Sequence, residues 1–233
     1  MFFDPMYLLF ALPGLLLAMW AQNKVKSTFA KYARVPTQSG MNGQNAARVL
    51  IQANMLSVDV QAIPGELTDH YDPRSKTVAL SQSSVVNSVA SVAVVAHELG
   101  HAMQDKESYA LLKLRGAIVP IVNIGSTIGP WLFMGGALLG LGSTLGSGLA
   151  WLGVIGFGLA ALFALVTLPV EFDASRRALA MIQDNRLLSD EEMGGAKQVL
   201  DAAALTYVAA AASSLLTLLY FVLRLTGSSR RNE

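Results

Sequence analysis

The residues best suited to chemistry lie in one pentapeptide, His97-Glu98-Leu99-Gly100-His101, which holds two of the three histidines of the chain. Residues four apart on an α-helix differ by about 40° around its axis, so both imidazoles point the same way and can bind one metal ion. Glu98 lies one step around the helix, close enough to hold a metal-bound water. The pattern indicates a metal site with a general base beside it. The alternative is a surface helix with two solvated histidines.

Long uncharged segments flank this motif. The chain has 233 residues, of which 53% are hydrophobic and 14% charged, and it is more apolar than an ordinary soluble domain. Because a membrane-spanning helix needs about 20 residues, the uncharged runs predict four transmembrane helices, within residues 1–23, 117–141, 145–168 and 202–224. A glycine-rich turn near Gly142 to Gly148 should join the middle two. The first segment lacks the features of a cleaved signal peptide and should remain as an anchor.

The basic residues predict the orientation of the chain in the membrane. Ten Lys or Arg residues lie within 24–115, four within 176–197 and three within 224–231. An arrangement with the N-terminus outside puts fourteen of the seventeen on one side, which the positive-inside rule identifies as the cytoplasm. The polar tail, residues 225–233, should then lie outside.

Residues 24–116 are expected to form a small cytoplasmic domain that contains the metal motif. Spacing and alternation of apolar residues predict a helix at 44–54, strands at 58–62 and 77–80, and a polar turn region at 68–73. Asn87 or Ser88 should cap the helix that runs into the motif. A second cytoplasmic segment, residues 169–201, should be helical and carry the third metal ligand.

A catalytic zinc site normally needs a third protein ligand, which leaves the fourth position for water. Four residues are candidates for it, namely Glu171, Asp173, Glu107 and His70. Topology favours Glu171, because the two middle spans form a hairpin that returns the chain to the side where the histidines emerge. Pro169 is expected to end the second helix of that hairpin just before Glu171. The alternative role for this glutamate is at the start of a helix, as a cap or in favourable contact with the helix dipole.

Three segments resemble the YugP-like neutral zinc metallopeptidases of bacterial membranes: HELGH at 97–101, LPVEFDASRRA at 168–178 and LTDHYDPR at 67–74. The resemblance covers essentially the whole chain and extends distantly to HtpX-type proteases and CAAX prenyl endopeptidases, gluzincins whose third ligand is a Glu on a second helix. It implies a mainly α, membrane-integral fold, with four transmembrane helices and a small zincin-like α+β metalloprotease domain that has a short β-sheet. It implies one zinc ion per chain, held by His97, His101 and Glu171, and a location in the bacterial plasma (inner) membrane with the active site facing the cytoplasm.

The chain departs from the wider group at one position. Many gluzincins carry, four residues after the ligand Glu, an Asp that hydrogen-bonds a ligand His, whereas this chain has Ser175. Asp173 cannot replace it, because two residues turn the side chain by about 200° around a helix. The group that orients the histidines is therefore left open. The resemblance also implies that the strand at 77–80 is a sheet edge that pairs with an extended peptide.

The expected reaction is peptide-bond hydrolysis. Two neutral imidazoles and one carboxylate would leave zinc enough positive charge to lower the pKa of a bound water to about 7. Glu98 would accept the proton as the general base and pass it to the leaving amine. His70 and Tyr71 are the candidate catalytic donors beside the developing oxyanion. His70 is equally well interpreted as a loop histidine without a catalytic role.

The expected partners are a peptide or membrane-protein substrate and the lipid bilayer. A formal charge of +1, with no basic stripe, argues against nucleic acid, and the absence of cysteine excludes a thiolate metal site. Glycines four apart in 125–146 are compatible with a homo-oligomer or a membrane-protein partner, but an intramolecular helix hairpin explains them better. Alternative functions are a non-hydrolytic scaffold or adaptor, and zinc transport, which the lack of charged residues in the spans disfavours.

Overall fold

A computed structural model describes residues 5–229 of the chain. These residues are mainly helical, as predicted. The helices are α1 Pro5–Tyr32, α2 Gly43–Ala53, α3 Val89–Lys106, α4 Ala110–Leu138, α5 Thr144–Asp184 and α6 Asp190–Ser229. The strands are β1 Asp59–Ile63, β2 His70–Asp72 and β3 Thr77–Ser81, and a short 3-10 helix at Gln82–Ser84 follows β3.

Four of these helices, α1, α4, α5 and α6, are long and apolar enough to cross a membrane, judged by length and composition. The prediction of four membrane-length helices and a small sheet is therefore confirmed. The chain divides into two compact units. Within the described residues, the first unit contains 5–20, 114–168 and 207–229, and the second contains 21–113 and 169–206.

The prediction that Pro169 ends a helix is wrong. Helix α5 runs from Thr144 to Asp184 with Pro169 inside it. A proline removes one N–H from the helical ladder, but Val170 and Ala174 directly after it are fully buried, so packing keeps this part of the chain helical. Glu171 therefore lies on the same helix as the third predicted span.

The turn between α4 and α5 lies at residues 139–143, earlier than predicted. Gly140 has a φ of +88°, a conformation that favours glycine. The Ser143 side chain accepts a hydrogen bond from the backbone N–H of Gly146 at 3.0 Å, which caps the start of α5. The capping serine, rather than the density of glycines, thus sets where the helix begins, and Gly148 lies inside the helix.

Glycines bring α4 and α5 into backbone contact inside the first unit. A Cβ atom on Gly153 would lie 2.7 Å from the carbonyl oxygen of Gly129 and 2.6 Å from the backbone nitrogen of Phe133. A Cβ on Gly156 would lie 2.5 Å from the carbonyl oxygen of Gly125. The glycines therefore serve an intramolecular hairpin, as their spacing favoured.

The second unit contains a three-stranded sheet of order β1-β3-β2, in which β1 is parallel and β2 antiparallel to β3. Two expectations are corrected here. Residues 70–72 form a strand instead of part of a turn, and β3 is the central strand with all five residues buried, so it is not a sheet edge. The short β2 shows no apolar alternation, and its strand conformation comes from pairing with β3.

Helix α3 is the buried helix of the second unit. Ser88 caps it by accepting a hydrogen bond from the backbone N–H of Ser91 at 3.1 Å, whereas the Asn87 side chain accepts from the backbone N–H of Thr37. Most residues of α3 are buried, including Leu99 and the apolar run before the motif. A helix that is apolar nearly all round belongs in a core, so the motif histidines have little freedom to move.

Candidate metal centre

Three predicted ligands meet in the second unit. His97 and His101 extend from α3, and Glu171 extends from α5. Oε2 of Glu171 lies 3.2 Å from Nε2 of His97 and 3.4 Å from Nε2 of His101. One ligand atom from each residue falls within 4.8 Å of the other two. Glu171 is 2% exposed, so this carboxylate is almost completely buried.

The two separations from Glu171 fit a tetrahedral zinc ion. Zinc binds nitrogen and oxygen at about 2.0–2.1 Å, so adjacent ligand atoms of a tetrahedron lie about 3.3–3.4 Å apart. The two distances to Glu171 match that value. Two imidazoles and one carboxylate also leave the fourth position for water, as catalytic zinc sites require. The cluster can therefore hold a zinc ion without rearrangement of α3 against α5.

The electrostatics of the cluster favour a cation. Burial disfavours the charged form of His101, yet the hydrogen bond and charge of Glu171, followed by the charge of Glu98, raise the pKa of this histidine above its usual value. Glu98 itself is 8% exposed. Two carboxylates thus create a negative potential at the imidazole nitrogens, where a metal ion would be stabilised.

Gly100 lets the two ligand-bearing helices meet. A Cβ atom at this position would lie 2.4 Å from the carbonyl oxygen of Ala174 and 3.2 Å from its Cα. Since Gly100 lies between the histidines and Ala174 lies one turn after Glu171, this backbone contact sets the distance across the cluster. Gly100 is not among the residues predicted from the sequence to be functional, although a glycine inside a buried helix is itself a signal of close approach.

A polar side chain lies within hydrogen-bond distance of Nδ1 of each histidine. The hydroxyl oxygen of Ser175 lies 3.2 Å from Nδ1 of His97. Nδ1 of His101 lies 3.0 Å from Oε1 of Gln104, which the sequence analysis missed. A signal for Gln104 exists, because it follows His101 by three residues and so lies beside it on one helix face.

Gln104 connects α3 to α5. Its side chain is fully buried, and its Nε2 donates to the carbonyl oxygen of Val170 at 2.7 Å and to Oδ2 of Asp173 at 3.0 Å. Asp173 in turn accepts from Nε of Arg177 at 2.6 Å and from Arg176. The amide therefore lies between a predicted ligand histidine and an ion-paired carboxylate.

Two of the other candidates for the third ligand have partners of their own in the described structure. Asp173 is paired as above, and Glu107 accepts from Nη1 of Arg177 at 2.6 Å. Arg177 thus links the two carboxylates and ties the end of α3 to α5. Neither carboxylate belongs to the three-residue cluster.

Comparison with known proteins assigns the family. Residues 7–226 match the model of a family described as "putative neutral zinc metallopeptidase". The chain belongs to this family. It is also 45% identical over 220 residues to the "putative membrane protease YugP" of Bacillus subtilis (strain 168), which covers 94% of this chain and 96% of that protein. No solved structure matches the chain. The resemblance read from the three segments is confirmed.

The family match supports zinc as the metal of this metallopeptidase, and the cluster of His97, His101 and Glu171 can hold it. The two predicted oxyanion donors lie on β2. Tyr71 donates its hydroxyl hydrogen to Oδ2 of Asp105 at 2.6 Å, and burial together with Asp105 raises the pKa of Tyr71 well above its usual value. His70 is exposed, with Nδ1 3.0 Å from the carbonyl oxygen of Thr68. Neither residue is part of the metal cluster.

Proposed function

We propose that this protein is a membrane-integral, zinc-dependent endopeptidase of the gluzincin type with a zincin-like domain. Its substrates are membrane-associated or juxtamembrane proteins. The observation that carries the proposal is the cluster of His97, His101 and Glu171, in which the distances from the buried carboxylate to the two imidazoles match tetrahedral zinc. Membership of a zinc metallopeptidase family and the name of the bacterial relative support it.

The residues of the chain have separate roles in the proposed reaction. Zinc, when bound, supplies a water of lowered pKa and polarises the scissile carbonyl. Glu98, next to the first ligand and nearly buried, accepts the proton of the attacking water and delivers it to the leaving amine. Since the Tyr71 hydroxyl already donates to Asp105, the exposed His70 is the better of the two predicted donors for the oxyanion.

The proposed site faces the cytoplasm. The second unit consists of residues 21–113 and 169–206, and these two segments carry most of the Lys and Arg residues of the chain. The positive-inside rule places such segments in the cytoplasm, with the N-terminus outside. The helix with His97 and His101 is followed directly by α4, and Glu171 lies on α5, so both parts of the site are continuous in the sequence with membrane-length helices. Peptide bonds close to the bilayer are therefore the natural substrates.

The test uses detergent-purified full-length protein and three variants, Glu98→Gln, Glu171→Gln and, as a matched control, Glu107→Gln. Zinc per polypeptide is measured by elemental mass spectrometry, and hydrolysis is measured with unfolded casein as the probe. The wild type should hold about one zinc. Glu98→Gln should keep the zinc and lose about 10²–10⁴-fold in hydrolysis, because it removes the general base. Glu171→Gln should lose most of the zinc, while Glu107→Gln should keep both zinc and activity.

Three results would contradict the proposal. Full zinc occupancy in Glu171→Gln would reopen the choice of the third ligand. Undiminished hydrolysis by Glu98→Gln would refute the general base. A zinc-loaded wild type that cleaves casein no faster than Glu98→Gln would favour a scaffold that keeps the metal without hydrolysis.

A further inference from the structure

Gln104 is the one buried polar side chain that contacts both a ligand histidine and helix α5 through side-chain hydrogen bonds within residues 5–229. Its amide oxygen lies 3.0 Å from Nδ1 of His101. Its amide nitrogen lies 2.7 Å from the carbonyl oxygen of Val170 and 3.0 Å from a carboxylate oxygen of Asp173. The amide nitrogen therefore donates two hydrogen bonds to α5, and the amide oxygen faces the ligand histidine.

The partners on α5 fix which way the amide points. The carbonyl oxygen of Val170 can only accept a hydrogen bond, and the carboxylate of Asp173, which is paired with arginines, also accepts. The NH₂ group of Gln104 must face these two oxygens, so Oε1 faces His101. Nδ1 of His101 then has to carry the hydrogen that Oε1 accepts. The lone pair of the imidazole is left on Nε2, which is the atom that faces Glu171.

We propose that Gln104 is the positioning residue of the metal centre, which fixes the tautomer and the ring orientation of His101 so that Nε2 is available as a ligand. The inference rests on the proposed zinc site. In many metal sites a carboxylate performs this task by direct contact with the histidine. Here the carboxylate of Asp173, on α5, is connected to His101 through the buried amide, which contacts both residues. Because the amide is neutral, it orients the imidazole without adding a charge next to it.

The other ligand is held differently. Nδ1 of His97 lies 3.2 Å from the hydroxyl oxygen of Ser175. A serine hydroxyl rotates and can either donate or accept, so it does not select one tautomer of the ring. The two histidines are thus not equivalent. Gln104 is expected to matter more for metal affinity than Ser175, although both residues make one hydrogen bond to a ligand.

The experiment measures the zinc dissociation constant by competition with a chromogenic chelator, on full-length protein in detergent. The variants are Gln104→Met, Gln104→Glu and Ser175→Ala, and Gln52→Met serves as the control because Gln52 is an exposed glutamine on α2. Gln104→Met keeps the size of the side chain and removes the acceptor, so zinc affinity should fall by about 10–100-fold. Ser175→Ala should have a smaller effect, and Gln52→Met none.

Gln104→Glu separates positioning from a merely structural role. A protonated carboxyl keeps the acceptor that faces His101 and one of the two hydrogen bonds that the amide donates to α5, so this variant should keep zinc affinity within about tenfold of the wild type. A purely structural role predicts instead that a second carboxyl beside Asp173 is at least as harmful as methionine. The melting temperature of each zinc-free variant reports the structural cost separately from the affinity.

The outcomes distinguish this inference from the proposed function. A wild type that binds no zinc overturns both. A wild type that binds zinc, with affinity unchanged in Gln104→Met, overturns the positioning role and leaves the proposed function standing. Equal losses in Gln104→Met and Gln104→Glu also overturn it. If Gln104→Met does not fold, Gln104→Glu decides alone, and a loss of more than about tenfold in zinc affinity rejects the role.

Discussion

Helix α5 makes a backbone contact through glycine in each of the two units, and the two contacts serve different ends. In the first unit Gly153 meets Gly129 and Phe133 of α4, among small and apolar residues. In the second unit α5 meets α3 at Gly100 and Ala174, and the residues beside the contact are the polar ligands of the proposed metal site. The same packing device yields a hairpin in one place and the spacing of a reactive site in the other.

The difference lies in how much error each contact tolerates. Helices in lipid associate through close packing of small residues, and a shift of a few tenths of an ångström weakens that packing gradually. A metal site needs its ligand atoms near fixed distances, and here the distances across the cluster are 3.2 and 3.4 Å. A displacement between α4 and α5 would therefore only lower the stability of the fold. The same displacement between α3 and α5 would also lower the affinity of the proposed site for zinc.

The largest effect is expected from Gly100→Ala. The added methyl would lie 2.4 Å from a backbone oxygen that no rotamer can move away, so α3 and α5 must separate. Zinc affinity should fall by more than about 100-fold, and the free energy of unfolding should fall by about 1–3 kcal/mol. Chelator competition and thermal unfolding in detergent measure the two effects.

Gly194→Ala is the control for that change, because Gly194 on α6 has open space at its Cβ position. It should leave zinc affinity unchanged. If Gly100→Ala binds zinc as tightly as Gly194→Ala does, the backbone contact between α3 and α5 does not set the ligand spacing. The two glycine contacts of α5 would then not differ in the way described above.

A smaller and purely structural effect is expected from Gly153→Ala. The methyl would meet backbone atoms of α4 at 2.6 and 2.7 Å, and overpacking of this kind costs about 1–3 kcal/mol. Gly158→Ala, on the same helix with open space around it, should cost nothing. Zinc affinity should be unchanged in both variants, since effects at distant sites are independent. A large loss of zinc in Gly153→Ala would show that the α4–α5 contact and the α3–α5 contact are coupled.

The smallest effect concerns the end of α3 that contacts the sheet. Burial tends to raise the pKa of Asp105, but hydrogen bonds from Lys76 and Tyr71 outweigh it and lower the pKa below the usual value. A carboxyl with a lowered pKa in the folded state stabilises the fold above its unfolded pKa, and this contribution is lost as the pH falls through the folded value. Since Lys76 is half exposed, solvent screening limits the effect to about 1 kcal/mol at pH 7.

Asp105→Asn should therefore unfold more easily than the wild type at pH 7, and the difference should shrink as the pH is lowered below about 4. Urea unfolding followed at several pH values measures it, with Asp59→Asn, an exposed carboxyl on β1, as the control. A difference that stays constant down to acid pH would mean that the charge of Asp105 is not what stabilises this contact.

The sequence predicted the candidate ligands better than the residues that contact and space them. The spacing of His97 and His101 is local, so the motif alone placed both imidazoles on one helix face. Glu171 was favoured by topology, although the reason given was partly wrong, because α5 continues through Pro169. Packing of the residues after the proline decided the outcome, and no local pattern shows such packing.

The features that the sequence did not predict depend on distant partners. The role of Gln104 arises from Val170 and Asp173, which belong to another helix. Strand β2 has three residues without apolar alternation, and its pairing with β3 defines it. The prediction that β3 lies at the edge of the sheet was wrong for the same reason, because β2 was not predicted to be its neighbour.

The order of the ligands along the chain has a consequence for the biosynthesis of the protein. Glu171 follows His97 by 74 residues, and helix α4 with most of α5 lies between the two halves of the cluster. At about 5–20 residues per second, the ribosome needs on the order of 4 to 15 s to extend the chain from one to the other. During that interval the nascent chain offers two histidines and no third ligand. The chain therefore cannot complete the proposed metal site until both helices of the hairpin have been synthesised.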